Sequence, residues 1–155
     1  MVQSDNSLAS ATLVLDEYIR SNGKKHTKQR NAILDVFVRA GGHLSLYEIL
    51  ALVQKSQPGV GFATIYRTMK LFVDAGIADE QRFGGDHAIY EISHGTDHHD
   101  HIICTECGSI FEFHDELIEK RQDVIAATFG VKVTHHRHVI HGKCTDIERC
   151  AAAKP

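Results

Sequence analysis

The chain has no cysteine before Cys104, only two prolines, and no apolar run near the roughly 20 residues that a membrane helix requires. It also lacks internal repeats and low-complexity tracts. Thiol chemistry is thus confined to the last third, at Cys104, Cys107, Cys144 and Cys150, and insertion into a membrane as a helix is excluded. The N-terminus shows neither a basic start with an apolar run nor a small-residue cleavage site, so a cytoplasmic location is expected. There, CxxC points to metal or redox chemistry rather than a disulfide staple. HExxH, GxSxG and a phosphate-binding glycine loop are all missing. Residues 96–101 read TDHHDH, one ligand short of the HxHxDH of metallo-β-lactamase-like hydrolases because Thr96 stands where the first histidine belongs. An enzyme is therefore not expected.

The composition is that of a globular protein, with 43% hydrophobic and 24% charged residues in 155. A net charge of -3 alone speaks against a nucleic-acid partner, but the charge is unevenly spread. Residues 1–92 carry ten Lys/Arg against ten Asp/Glu, whereas residues 93–155 carry seven against ten and nine of the twelve histidines. Tyr18 to Leu34 holds Arg20, Lys24, Lys25, Lys28 and Arg30 and no acid. At contact range the local field governs, because salt screens the rest within about 8 to 10 Å.

Apolar spacing predicts a helix over Leu8 to Ile19, ended by Asn22-Gly23, and a second capped by Thr27 and stopped by Gly41-Gly42. Ser45 and Glu48 match a capping box opening a third helix that Pro58-Gly59 closes. A fourth, from about Ala63 to Asp74, buries Ile65, Met69, Phe72 and Val73 and leaves Tyr66, Arg67 and Lys70 on its other face. Ile77 to Phe83 and His87 to Ile92 flank Gly84-Gly85-Asp86 and predict a hairpin. Compact helices followed by a two-stranded wing are the layout of a winged helix-turn-helix, a DNA-binding fold that also serves as a protein docking module.

Residues 93–97 read as a hinge between a domain at 1–92 and one at 98–155. Beyond it the pattern predicts strands at His101 to Ile103 and Ser109 to Phe113, then a helix over Asp115 to Phe129 with Leu117, Ile118, Ile125 and Phe129 inward. A last strand spans Val131 to His141, and Ala151 to Pro155 reads as a frayed tail. The second half is α+β and small for independent stability, for which metal and dimerisation are the usual remedies.

The chemistry concentrates in His98-His99-Asp100-His101-Ile102-Ile103-Cys104-Thr105-Glu106-Cys107. An extended segment points His98 and Asp100 one way and His99 and His101 the other, so one strand could serve two metal ions. The thiolates suit a closed tetrahedral zinc site, whereas imidazole and carboxylate suit Fe(II), Mn(II) or Zn(II) in more open geometries.

Together, Gly61-Phe62-Ala63-Thr64-Ile65-Tyr66-Arg67, Asp74-Ala75-Gly76-Ile77 and His98-His99-Asp100-His101-Ile102-Ile103-Cys104 resemble the ferric uptake regulator family of metal-dependent transcriptional repressors, over almost the whole chain. The resemblance implies an N-terminal winged helix joined by a hinge to an α/β dimerisation domain. It implies a hinge regulatory site at His43, Glu91, His99, His101 and Glu112, and a second site at His98, Asp100, Glu119 and His136. It further implies structural zinc on Cys104, Cys107, Cys144 and Cys150, although the CxxxxxC spacing of the second pair is wider than is common in the family. Peroxide sensors of the family characteristically carry aspartates where this chain has Glu91 and Glu112, and zinc sensors often carry cysteine at the first of these. Iron is accordingly the first choice of regulatory metal, with manganese next.

For DNA, the resemblance assigns Tyr66 and Arg67 to the major groove and Lys25 to the adjacent minor groove of an A/T-rich near-palindrome bound by a homodimer. The alternatives are a manganese- or zinc-sensing member of the same family, or a histidine-rich metal buffer or delivery protein, which has no use for that reading face. His26, His87, His94, His114, His135, His138 and His141 are given no role.

Overall fold

The computed structural model describes residues 2–82, 87–95, 98–146, 148 and 150, with side chains from residue 6 onward. The chain divides into two units, Met1–Thr96 and Asp97–Pro155. The turn at Gly84-Gly85-Asp86, the Thr96-Asp97 part of the hinge and the tail from Ala151 lie outside the described residues.

In the first unit, α1 (Val2–Ser21), α2 (Lys28–Ala40), α3 (Leu46–Gln54) and α4 (Phe62–Asp74) pack around one core, with a sheet ordered β1–β3–β2 (β1 Leu44–Ser45, β2 Ala78–Gln81, β3 Ile89–Ile92). Local chemistry accounts for the helix boundaries. The Thr27 side chain accepts the Arg30 backbone N–H to start α2, and Ser45 and Glu48 form a reciprocal capping box at α3. The α4 terminus is a Schellman turn: Ile77 N–H donates to Phe72 C=O at 2.9 Å and Gly76 N–H to Val73 C=O at 3.0 Å. Gly76 adopts the left-handed φ of 70° that this turn requires.

Two boundaries and one buried stripe differ from the periodicity. Helix α1 starts earlier than Leu8, α3 ends at Gln54 ahead of Pro58-Gly59, and the α4 stripe takes in Thr68 and Leu71 while Val73 is only half-buried. A wider stripe is expected where a helix is covered by two others and a sheet. Among the described residues, no helix is long and apolar enough to cross a membrane.

The second unit is a sheet ordered β5–β4–β6 (β4 Asp100–Cys104, β5 Ile110–Phe113, β6 Val139–Gly142) with one helix, α5 (Glu116–Thr128). Strand β5 pairs antiparallel to β4, and β6 pairs parallel to it from His101↔Val139 to Cys104↔Gly142. Two sequence expectations fail here. The strand over Val131 to His141 contracts to Val139–Gly142, because only its last residues find a partner strand. Helix α5 buries none of its residues: Leu117 is 76% exposed, and Ile125 and Phe129 are also exposed. Periodicity identifies an apolar face, which the described residues of this unit leave uncovered.

Candidate functional site

Four sulfurs meet at the end of the second sheet. Cys104 Sγ lies 3.1 Å from Cys144 Sγ, Cys107 Sγ 3.2 Å from Cys150 Sγ, and Cys144 Sγ 3.7 Å from Cys107 Sγ. These separations far exceed a disulfide bond of about 2.05 Å. A tetrahedron with zinc–sulfur arms of about 2.3 Å has edges of roughly 3.8 Å, which the Cys144–Cys107 separation meets and towards which the two closer pairs open by about 0.6 Å. Cys104 ends β4 and Cys107 follows in a turn closed by Gly108 N–H donating to Cys104 C=O at 2.9 Å. Cys144 is held by its backbone N–H donating to Glu106. Across the wide CxxxxxC spacing, Cys150 N–H donates to Asp146 C=O at 3.0 Å, while Ser109 Oγ donates to Cys150 C=O at 2.8 Å. The Ser109 hydroxyl and backbone draw the Cys107 thiol down to about 6, whereas the neighbouring Cys104 sulfur pushes Cys144 up. Four cysteine sulfurs converging on one point form a donor set that zinc fits, and metal binding would displace the remaining thiol protons.

The second cluster lies between β4 and α5. His98 Nε2 is 3.5 Å from both Asp100 Oδ1 and Glu119 Oε1, and His136 Nε2 is 3.3 Å from Glu119 Oε2 and 3.8 Å from Asp100 Oδ1. One donor atom from each of the four falls within 4.8 Å of the others. Both Asp100 oxygens, Glu119 Oε1 and His136 Nε2 are buried without a hydrogen bond. Buried carboxylate and imidazole atoms that face one another without a hydrogen bond between them are the expected state of a ligand set, so the residues fit a divalent cation. Glu119 reaches the sheet because Asp115 caps α5, accepting the Leu117 and Ile118 backbone N–H groups.

The donors assigned to the hinge set occur in two groups, one in each unit. In the first unit, His43 Nε2 lies 3.0 Å from Glu91 Oε2, with both side chains more than nine-tenths buried. The Gln81 side-chain amide donates to Glu91 Oε1. Strand β1 aligns His43 with Glu91 by pairing Leu44 with Tyr90, and a two-residue strand leaves no periodic signal to read. In the second unit, the His99 and His101 rings stand edge to face with centroids 5.0 Å apart, on the β4 face opposite Asp100. His101 is buried and pairs across the sheet with Glu112. Strand alternation therefore separates the two sets as the sequence implies.

On α4, Tyr66 and Arg67 are exposed, as is Lys25 before α2. Tyr66 lines a groove of about 530 Å³ between α4 and the wing, with Tyr47, Phe62, Lys70, Glu80 and Arg82 also on its walls. Of the histidines without an assigned role, His94 Nε2 is 2.8 Å from Ser10 Oγ, and His138 Nδ1 is 3.7 Å from Asp100 Oδ2.

These features have counterparts in known proteins. Residues 21–141 match the model of the ferric uptake regulator family. The ferric uptake regulation protein of Neisseria meningitidis serogroup A is 38% identical over 131 residues, covering 84% of this chain and 90% of that protein. The structure of the Helicobacter pylori ferric uptake regulator Fur, which reveals three functional metal binding sites in that protein, superposes with a TM-score of 0.83 at 30% identity over 96% of each chain. The Francisella tularensis ferric uptake regulator, solved with iron, gives a TM-score of 0.70 at 35% identity over 79% of this chain and 93% of its own. With the family model matched over residues 21–141 and these relatives covered over most of their length, the chain belongs to the ferric uptake regulator family of metal-dependent transcriptional regulators.

Proposed function

We propose that the protein is an iron-dependent repressor of metal-uptake genes, with Fe(II) as corepressor and Mn(II) able to take the same role. The observation that carries the reading is the buried His43–Glu91 pair at 3.0 Å in the first unit. Two donors enclosed together but too few for a complete coordination shell suit a site that draws further ligands from elsewhere. By the resemblance those ligands are His99, His101 and Glu112, on the far side of the hinge in sequence. An ion held by both groups supplies coordination energy that favours one interdomain angle over others. His43 and Glu91 hold the reading head's side of the ion, and His99, His101 and Glu112 hold the dimerisation unit's side.

The second set, His98, Asp100, Glu119 and His136, supports the fold of the second unit, and Cys104, Cys107, Cys144 and Cys150 hold structural zinc. Tyr66 packs on a thymine methyl, Arg67 reaches guanine or phosphate, and Lys25 enters a narrow A/T-rich minor groove. In a homodimer the two heads address half-sites about one helical turn, roughly 34 Å, apart.

Anaerobic titration of the protein against a labelled A/T-rich palindrome at fixed salt tests the reading. Fe(II) or Mn(II) is expected to tighten binding by about 5- to 150-fold over excess chelator, the usual range of coupling between sites. Arg67→Ala is expected to lose DNA binding while still taking up metal, and His99→Ala to lose the metal response. Binding that is absent in every metal state contradicts corepression. DNA association unchanged in Arg67→Ala favours a metal buffer instead.

A further inference from the structure

His138 has no place in the four-ligand reading of the second site, yet the fold delivers it there. Asp100 is 1% exposed, and neither of its oxygens accepts a hydrogen bond. A buried carboxylate needs an electropositive partner at each oxygen. Oδ1 is the atom nearest His98 and His136, at 3.5 and 3.8 Å, and so belongs to the donor cluster. Oδ2 has a separate neighbour, His138 Nδ1 at 3.7 Å.

The backbone explains the placement. His101 N–H donates to the His138 carbonyl at 3.2 Å, and the parallel register begins one residue later at His101↔Val139. One step back along both strands sets His138 beside Asp100. On the other flank, Asp100 pairs with Phe113, whose ring meets the His138 ring edge to face with centroids 6.0 Å apart. The imidazole is therefore held between a backbone bond and an aromatic face, with Nδ1 toward the carboxylate.

We infer that His138 is a positioning residue of the second metal site: its Nδ1–H holds Asp100 Oδ2, so that Oδ1 alone is offered to the ion. This rests on the reading that His98, Asp100, Glu119 and His136 bind a divalent cation. An approach of about 0.8 Å brings the pair to hydrogen-bond distance. With Oδ2 occupied, Asp100 binds through one oxygen and cannot chelate, which favours a compact four-coordinate site. Without the donor, the carboxylate is free to turn and bind through both oxygens.

Co(II) titration of the full-length protein, carrying His99→Ala to silence the proposed hinge set, separates the possibilities by affinity and visible absorption. Tetrahedral Co(II) absorbs more strongly than higher-coordinate Co(II). His138→Leu is expected to weaken Co(II) binding about 10- to 100-fold, the usual effect of losing such a supporting residue, without changing the stoichiometry at saturation. The absorption intensity is expected to fall. His138→Asn, whose side-chain N–H occupies nearly the position of Nδ1–H, is expected to restore both affinity and spectrum. If His138→Leu matches the parent in both, the assignment is wrong. If His138→Asn behaves like His138→Leu, the imidazole is itself a ligand and the positioning role is overturned. If the parent takes up no more Co(II) than a further His136→Ala variant, the four-ligand reading itself has failed.

Discussion

Cys104→Ser is expected to release one zinc per chain and to unfold the second unit while the first stays folded. The reason is how differently the two units are held together. The first buries a continuous cluster that includes Leu15, Ile33, Phe37, Ile65, Met69 and Phe72. Among the described residues of the second, the buried apolar side chains are Ile103, Cys104 and Cys150, two of which are proposed zinc ligands. Helix α5 contributes no buried residue. Structural zinc in small domains contributes on the order of 10 kcal/mol of folding free energy at neutral pH, more than so small a core supplies. Hydrogen exchange with metal analysis reads the result. Amides of β4 and β6 should lose protection in the zinc-free variant, whereas those of α2 and α4 should keep it. Undiminished protection of β4 without zinc would show that the cysteine cluster is not what stabilises this unit.

Phe72→Ala is expected to show the converse, a large loss confined to the first unit. Phe72 is fully buried on the inner face of α4, the helix that carries Tyr66 and Arg67 on its outer face. Truncating such a ring costs about 3 to 5 kcal/mol through lost transfer energy and the cavity left behind. That is a large part of the roughly 5 to 15 kcal/mol that stabilises a typical domain. For a domain of this size the melting temperature should fall on the order of 20 °C. Arg67→Ala, at an exposed position on the same helix, should leave the melting temperature within a degree or two of the parent. Thermal unfolding followed by circular dichroism compares the two, and equal melting temperatures would contradict the assignment of α4's faces.

The helices of the first unit were legible because their boundaries are set by local chemistry. Thr27, the Ser45–Glu48 box and the Ala75-Gly76 stop each act within a few residues of their own position. Strand β1 was not legible: two residues carry no period, and their pairing with Ile89 and Tyr90 is a tertiary event. The alternation of His98 and Asp100 against His99 and His101 could be read from the pleat alone. The inward face assigned to Leu117, Ile125 and Phe129 failed because periodicity marks an apolar stripe without saying what covers it. The strand expected over Val131 to His141 failed for a related reason, since apolar and histidine positions alternate there without a neighbouring strand along most of its length. The parallel pairing of β6 with β4 lies beyond any local pattern. Without it, nothing marks His138 as different from the solvated histidines around it.

Corepression requires metal and operator DNA to favour the same conformation of the protein, and linkage gives this a direct test. The affinity for Mn(II) would be measured anaerobically with and without saturating operator, at one salt concentration, alongside the operator affinity with and without Mn(II). Thermodynamic reciprocity requires the two ratios to be equal, and the account predicts that both lie at about 5- to 150-fold. An Mn(II) affinity that operator leaves unchanged would contradict corepression.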